Sequence, residues 1–182
     1  MHNKKEKMAK NPKDGALIYH LTSLDNLESI IENGLLPRKE INFSFEDIAD
    51  QEILKDRKKF DLSEYIPFHF FSPTPFSGAV QKANLDKDFI YITLKRDLAK
   101  KYDFKIVPKH PLTFDEVPLN WNKGFESIDW ELMNTRDYSD HTCKEICMAE
   151  ALYSGKILIN YFNCIFVKNN SCLLYTSDAA DD

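Results

Sequence analysis

ALIYHLTSLDNLESIIENGLL, residues 16–36, is the stretch from which the fold of this chain is read. Ala16 to Tyr19 is a short apolar run ending in an aromatic, the signature of a buried strand, and Thr22 or Ser23 is placed to cap a following helix. Leu24, Leu27, Ile30 and Ile31 recur at helical spacing, while Asp25, Glu28, Glu32 and Asn33 fall on the opposite face. Gly34 supplies the left-handed residue that commonly ends a helix, and Leu35 can fold back on the last turn. His20 is thereby predicted where a strand hands over to a helix. In α/β architectures ligands gather at such places, because free amides at helix N-termini attract phosphates and hydroxyls.

Working outward, 182 residues with 43% hydrophobic and 13% aromatic content suffice for one sizeable core. The apolar runs are far shorter than a membrane span, and the lysine-rich start lacks the apolar stretch of a secretory signal, so the expected location is the cytoplasm. Residues 1–14 are polar and expected to fray. Cys143, Cys147, Cys164 and Cys172 are too few for a disulfide scaffold and read as free thiols. His141, Cys143 and Cys147 do not follow a paired zinc spacing, so no metal is expected.

The net charge of -5 excludes a surface that is basic all round. Locally, Lys95, Arg96, Lys100, Lys101, Lys105 and Lys109 outnumber Asp97 and Asp103, a pattern suited to phosphates. From Asp115 to Glu150 the balance turns acidic. Glu46 to Lys58 fits a loop with a short helix. Tyr65 to Phe71 is an aromatic strand broken by Ser72-Pro73-Thr74-Pro75. Phe89 to Leu94 and Phe104 to Val107 predict further strands, Glu126 to Asn134 a short helix, and Asn163 to Val167 a last strand. Ile146 to Tyr153 fits a strand or a helix equally. Residues 171–182 look like a translated read-through tail and are set aside, with the natural C-terminus expected to be missing.

Taken in order, Tyr19-His20-Leu21-Thr22, Asn26-Leu27, Gly34-Leu35-Leu36, Ile48-Ala49-Asp50 leading to Arg57, Tyr65-Ile66-Pro67-Phe68-His69-Phe70, Ile128-Asp129-Trp130 and Ala149-Glu150 resemble the DarT family of DNA ADP-ribosyltransferases. The resemblance implies an α+β fold of the ADP-ribosyltransferase type: a mixed β-sheet core of two packed sheets, short flanking helices and an NAD cleft, within a domain spanning 15–170. It implies NAD as the substrate consumed, single-stranded DNA as the acceptor, and a toxin opposed by a macrodomain antitoxin.

The roles it implies follow the chemistry. Breaking the nicotinamide–ribose bond builds positive charge on the sugar, which a fixed carboxylate stabilises, and Glu150 matches the catalytic glutamate. Arg57 matches the arginine that holds the diphosphate, a task for a guanidinium fork. His110 falls where relatives place a histidine against the acceptor base. His20, Thr22, Asn26, Gly34 and Leu35 belong to the dinucleotide-binding segment, and Phe68 and Phe70 could wall the nicotinamide ring. Two departures stand out. Many relatives carry Pro-Phe-Tyr-Phe where this chain has Pro67-Phe68-His69-Phe70, and Pro73 replaces an expected arginine. The competing readings are another NAD-consuming enzyme (a glycohydrolase, or a transferase acting on RNA or protein), a non-catalytic NAD or nucleic-acid binding module, and a relative damaged by truncation.

Overall fold

The computed structural model describes residues 11–48, 62–167 and 172–173. Its centre is a seven-stranded sheet: β1 (Leu17–Ser23), β2 (Ile66–His69), β3 (Phe89–Lys95), β4 (Lys105–Val107), β5 (Glu150–Tyr153), β6 (Cys164–Val167) and β7 (Cys172–Leu173). The strands lie in the order β4-β5-β2-β1-β3-β6-β7, and each ladder among them is antiparallel. β3 is rich in β-branched and aromatic residues, and Ile90, Ile92, Thr93 and Leu94 are all buried, as befits a strand with neighbours on both sides and cover on both faces.

The α+β class and the short flanking helices match expectation, whereas the sheet differs in one respect. The expected mixed, two-sheet core is hydrogen-bonded into one antiparallel sheet, but the joint is narrow. β1 pairs with β3 at every position from Leu17↔Lys95 to Ser23↔Phe89, yet it meets β2 at the single register pair Tyr19↔His69. Two ladders, β4-β5-β2 and β1-β3-β6-β7, are thus sewn together at one point.

β1 runs on to Ser23 rather than ending at Tyr19, because Leu21, Thr22 and Ser23 continue the ladder with β3. Ser23 then caps a 3-10 turn by accepting from the Asp25 amide, and α1 (Leu27–Asn33) follows. Gly34 closes α1 at φ 78, with its amide on Ile30 O at 2.9 Å. It also lies against the segment that bridges to Leu35, since a Cβ there would stand 2.8 Å from Ile157 O.

Among the described residues the other α-helices are α2 (Pro75–Ala83), α3 (Arg96–Lys101), α4 (Trp121–Ser127), α5 (Trp130–Thr135) and α6 (His141–Ile146). The single helix expected over Glu126–Asn134 is split, because Asp129 stays outside helical geometry and caps α5 by accepting from the Leu132 amide. Thr74 and Ser77 form a capping box that starts α2 directly after the proline break. Glu150–Tyr153 resolves as strand, with α6 ending just before it. The helix expected over Glu46–Lys58 lies outside the described residues beyond Ile48.

The main core joins Ile18, Phe68, Ile92, Phe104 and Met133, each such side chain contributing about 1.5–3 kcal/mol on burial. Phe70, Trp121, Phe125 and Trp130 form an aromatic nest with centroids 4.5–6.2 Å apart, and Arg96 is enclosed in it. The guanidinium of Arg96 donates to Leu17 O, Lys13 O, Pro12 O and Phe70 O, tying the start of the described chain to the end of β2. Burial lowers its pKa to about 10, so it stays charged at neutral pH.

Cys143 and Cys147 are buried free thiols. Cys164, by contrast, is disulfide-bonded, which corrects the expectation of four free thiols: pairing in space, not spacing in sequence, decides it. Among the described residues no cluster of metal-ligating side chains forms, and His141 is exposed against Glu145 at 3.7 Å. No described helix is long and apolar enough to cross a membrane.

Candidate active site

The narrow joint between β1 and β2 opens onto a cavity of about 140 Å³, lined among others by His20, Thr22, Arg38, His69, His110 and Glu150. These residues are far apart in sequence but close in register. Glu150 is the first residue of β5 and pairs with His69 on one side and Val107 on the other, while His69 pairs onward with Tyr19, the neighbour of His20. The middle of β1, the end of β2 and the start of β5 therefore bring His20, His69 and Glu150 to one spot. Glu150 is only 6% exposed, a burial that a carboxylate accepts where polar partners are at hand.

Each imidazole is fixed by a backbone contact that sets its tautomer. His20 donates from Nδ1 to Pro67 O at 2.8 Å, and His69 from Nδ1 to Ala149 O at 3.1 Å, since a carbonyl oxygen can only accept. His110 is the reverse, because its Nδ1 accepts the Leu112 amide at 3.1 Å as the cap of the 3-10 turn Pro111–Thr113. The proton of neutral His110 therefore sits on Nε2. Burial drives the His20 pKa down to about 4; the Pro67 contact and Glu150 oppose this, and His69 and Arg38 add to it. His20 is uncharged at neutral pH.

The expected dinucleotide-binding residues His20, Thr22, Asn26, Gly34 and Leu35 all line this cavity, as do His110 and Glu150. Asn26, however, has its amide engaged in a latch: Nδ2 donates to Thr22 Oγ1 at 3.1 Å and Glu46 O at 2.9 Å, and Oδ1 accepts the Glu46 amide at 2.7 Å. Lys87 pairs with the Glu46 carboxylate, so the wall from Ile41 to Ile48 is pinned from two sides. Phe68 and Phe70 correct the expectation of an aromatic wall, being 0% and 2% exposed and lying behind the site in the core. Phe68 supports His20 from there, ring centroids 5.5 Å apart. Ile66, Pro67 and His69 of the same strand line the cavity instead. Arg57 lies outside the described residues.

His69 and Arg38 line the cavity without having been assigned a role from the sequence. His69 was noted only as a departure, although strand alternation with Phe68 and Phe70 puts it on the opposite side from the core. Arg38 sits in a 3-10 turn (Arg38–Glu40) just past Gly34, and its Nη2 holds Asp47 Oδ1 at 2.6 Å. No local pattern marks it.

The basic strip does not lead to the cavity. Lys95 pairs with Leu17 at the start of β1, so Lys95 and α3 lie at the end of β1 opposite Thr22. Arg96 is buried and Lys105 pairs with Asp103 at 2.5 Å. Lys109, beside His110, is the member of that set next to a cavity residue.

Comparison with known proteins places this fold. The chain is similar in structure to Thermus sp. 2.9 DarT in complex with ADP-ribosylated ssDNA, with a TM-score of 0.72 at 19% identity over 84% of this chain and 81% of that one. The same protein in complex with NAD+ aligns at 0.65 and 18%, covering 85% and 82%. Thermosipho africanus DarTG in complex with ADP-ribose aligns at 0.61 and 21%, covering 84% of this chain and 44% of that one. At such identities the likeness is one of fold. No curated protein sequence matches the chain. The family model described as "ssDNA thymidine ADP-ribosyltransferase, DarT" matches residues 19–177, which include every lining residue named above, and the chain belongs to that family.

Proposed function

We propose that this protein transfers ADP-ribose from NAD to thymidine in single-stranded DNA, with the chemistry centred on Glu150. The observation that carries the reading is the meeting of Glu150, His20 and His110 in one cavity at the β1–β2 joint. NAD binds as substrate with its reactive ribose against Glu150. As the nicotinamide–ribose bond breaks, nicotinamide leaves with the bonding electrons and the carboxylate balances the charge growing on the sugar. In thymidine the base keeps a single N–H, because its other ring nitrogen is bound to the sugar, so forming the new carbon–nitrogen bond releases one proton. Glu150 is the acceptor for it, because the fixed tautomer of His110 presents a donor instead. The Nε2–H of His110 is suited to hold a thymine carbonyl oxygen and orient the base.

His20, uncharged, shapes the dinucleotide pocket without repelling the ribose cation, and the Asn26 latch holds the wall around it. Arg57 is assigned to the diphosphate from its match to the family. A free strand is the natural acceptor, since a duplex base must first be unstacked at a cost of a few kcal/mol. The biological setting we infer is a cytoplasmic toxin neutralised by a macrodomain antitoxin, a reading supported by the two-component name of the Thermosipho africanus relative.

The test is incubation of the full chain with labelled NAD and single-stranded oligonucleotides differing in base content, beside Glu150→Ala. Label on thymidine-containing strands that disappears in the variant supports the proposal. Nicotinamide release without labelled DNA makes the protein a glycohydrolase, and saturable NAD binding without turnover makes it a binding module; either result overturns it.

A further inference from the structure

Arg38 presents a guanidinium that its protein partner does not satisfy. One nitrogen, Nη2, is committed to Asp47, whereas Nε is buried without any hydrogen-bond partner. A buried donor on a charged group is expensive to leave unmade, and where it lines a cavity a ligand can supply the missing acceptor. Among the described residues lining the cavity Arg38 is the sole lysine or arginine, and the acidic side chains Glu46, Asp47 and Glu150 line it too. Glu46 is engaged by Lys87 and Asp47 by Arg38 itself. The same cavity is lined by the apolar side chains Ile41, Phe43 and Phe45, whose low polarity strengthens a charge contact made within it.

From this geometry we infer that Arg38 is a phosphate-holding residue of the cavity, gripping the NAD diphosphate through its Nε–H and unoccupied Nη hydrogens while Asp47 keeps the fork aimed. The inference rests on the NAD reading above and adds a second arginine to Arg57. A guanidinium supplies five donors in a plane, enough to hold a carboxylate and a phosphate oxygen together, which an ammonium on a flexible stem does less well. Arg38 also joins the dinucleotide segment by sequence, four residues after Gly34. A phosphate of the DNA strand is the other source; the place of Arg38 in the same cavity as His20, close enough to act on its charge, favours the dinucleotide.

The experiment measures dissociation constants by calorimetry for NAD and for nicotinamide riboside, which lacks the diphosphate, with KM for the oligonucleotide alongside. Arg38→Met is expected to weaken NAD roughly tenfold or more, as loss of a charge-assisted bond does, while nicotinamide riboside changes little. Asp47→Asn keeps the guanidinium and is expected to weaken NAD less than Arg38→Met. If Arg38→Met fails to fold, Arg38→Lys keeps the charge but loses the fork, and its preference for NAD over nicotinamide riboside is expected to fall at least about threefold. Unchanged NAD affinity, equal weakening of both ligands, or a rise confined to the oligonucleotide KM overturns the assignment. Wild-type protein that binds no NAD overturns the underlying reading instead, so the two failures are distinct.

Discussion

His20 ties folding stability to pH in a way that can be measured. Its Nδ1–H bond to Pro67 O persists in the neutral ring, and burial holds the folded pKa near 4 against about 6.5 in an unfolded chain. Above pH 6.5 the ring is neutral in both states and its contribution is complete. Between 6.5 and 4 the unfolded chain takes up a proton that the folded one refuses, so stability falls as pH falls, by about 1.4 kcal/mol per pH unit and about 3 kcal/mol in total. Below pH 4 this contribution levels off. His20→Asn keeps an N–H near Pro67 O and does not titrate, so the other acidic and basic groups cancel between the two proteins. Urea unfolding at pH 7, 6, 5 and 4 is expected to show the wild type losing up to about 3 kcal/mol more than the variant. Parallel curves for the two proteins across that range refute the argument, as does a His20 ring that titrates near 6.5 in the folded state by NMR.

Three other expectations concern the frame around the site. Gly34→Ala places a side chain at φ 78 and within 2.8 Å of Ile157 O, and thermal unfolding is expected to show a loss of about 1–3 kcal/mol. Arg96→Met leaves four carbonyl oxygens without their donor and removes a cation from the aromatic nest; chemical denaturation is expected to register a loss of about 3 kcal/mol or more. The Cys147 thiol, pushed up to about 12 by burial and by Cys143, is expected to resist iodoacetamide at pH 8 in the folded protein and to react once urea unfolds it.

Part of the candidate site was legible because His20 and Glu150 each belong to an element with its own signal. The strand and the glycine-ended helix around His20, and the small neighbours of Glu150, are local patterns. What escaped depended on contacts across the chain. Strand alternation could have shown that Phe68 and Phe70 share the core side, but nothing in the stretch says which side is core. Arg96 looks like a surface base until Pro12, Lys13, Leu17 and Phe70 turn their carbonyls toward it. Arg38 has no local mark because its meaning comes from Asp47 and from a cavity built by distant strands. The helix over Glu126–Asn134 was broken by a cap, Asp129, whose preference competes with the run of apolar residues around it.

The single stitch between β1 and β2 has a mechanical meaning. With one register pair at Tyr19 and His69, the ring-to-carbonyl link from His20 to Pro67 is a further fastening across the same gap, so an imidazole serves as a rivet between two stiff plates. Prying those plates apart strains that rivet before it disturbs either plate, which makes the width of the gap and the protonation of one side chain a shared variable.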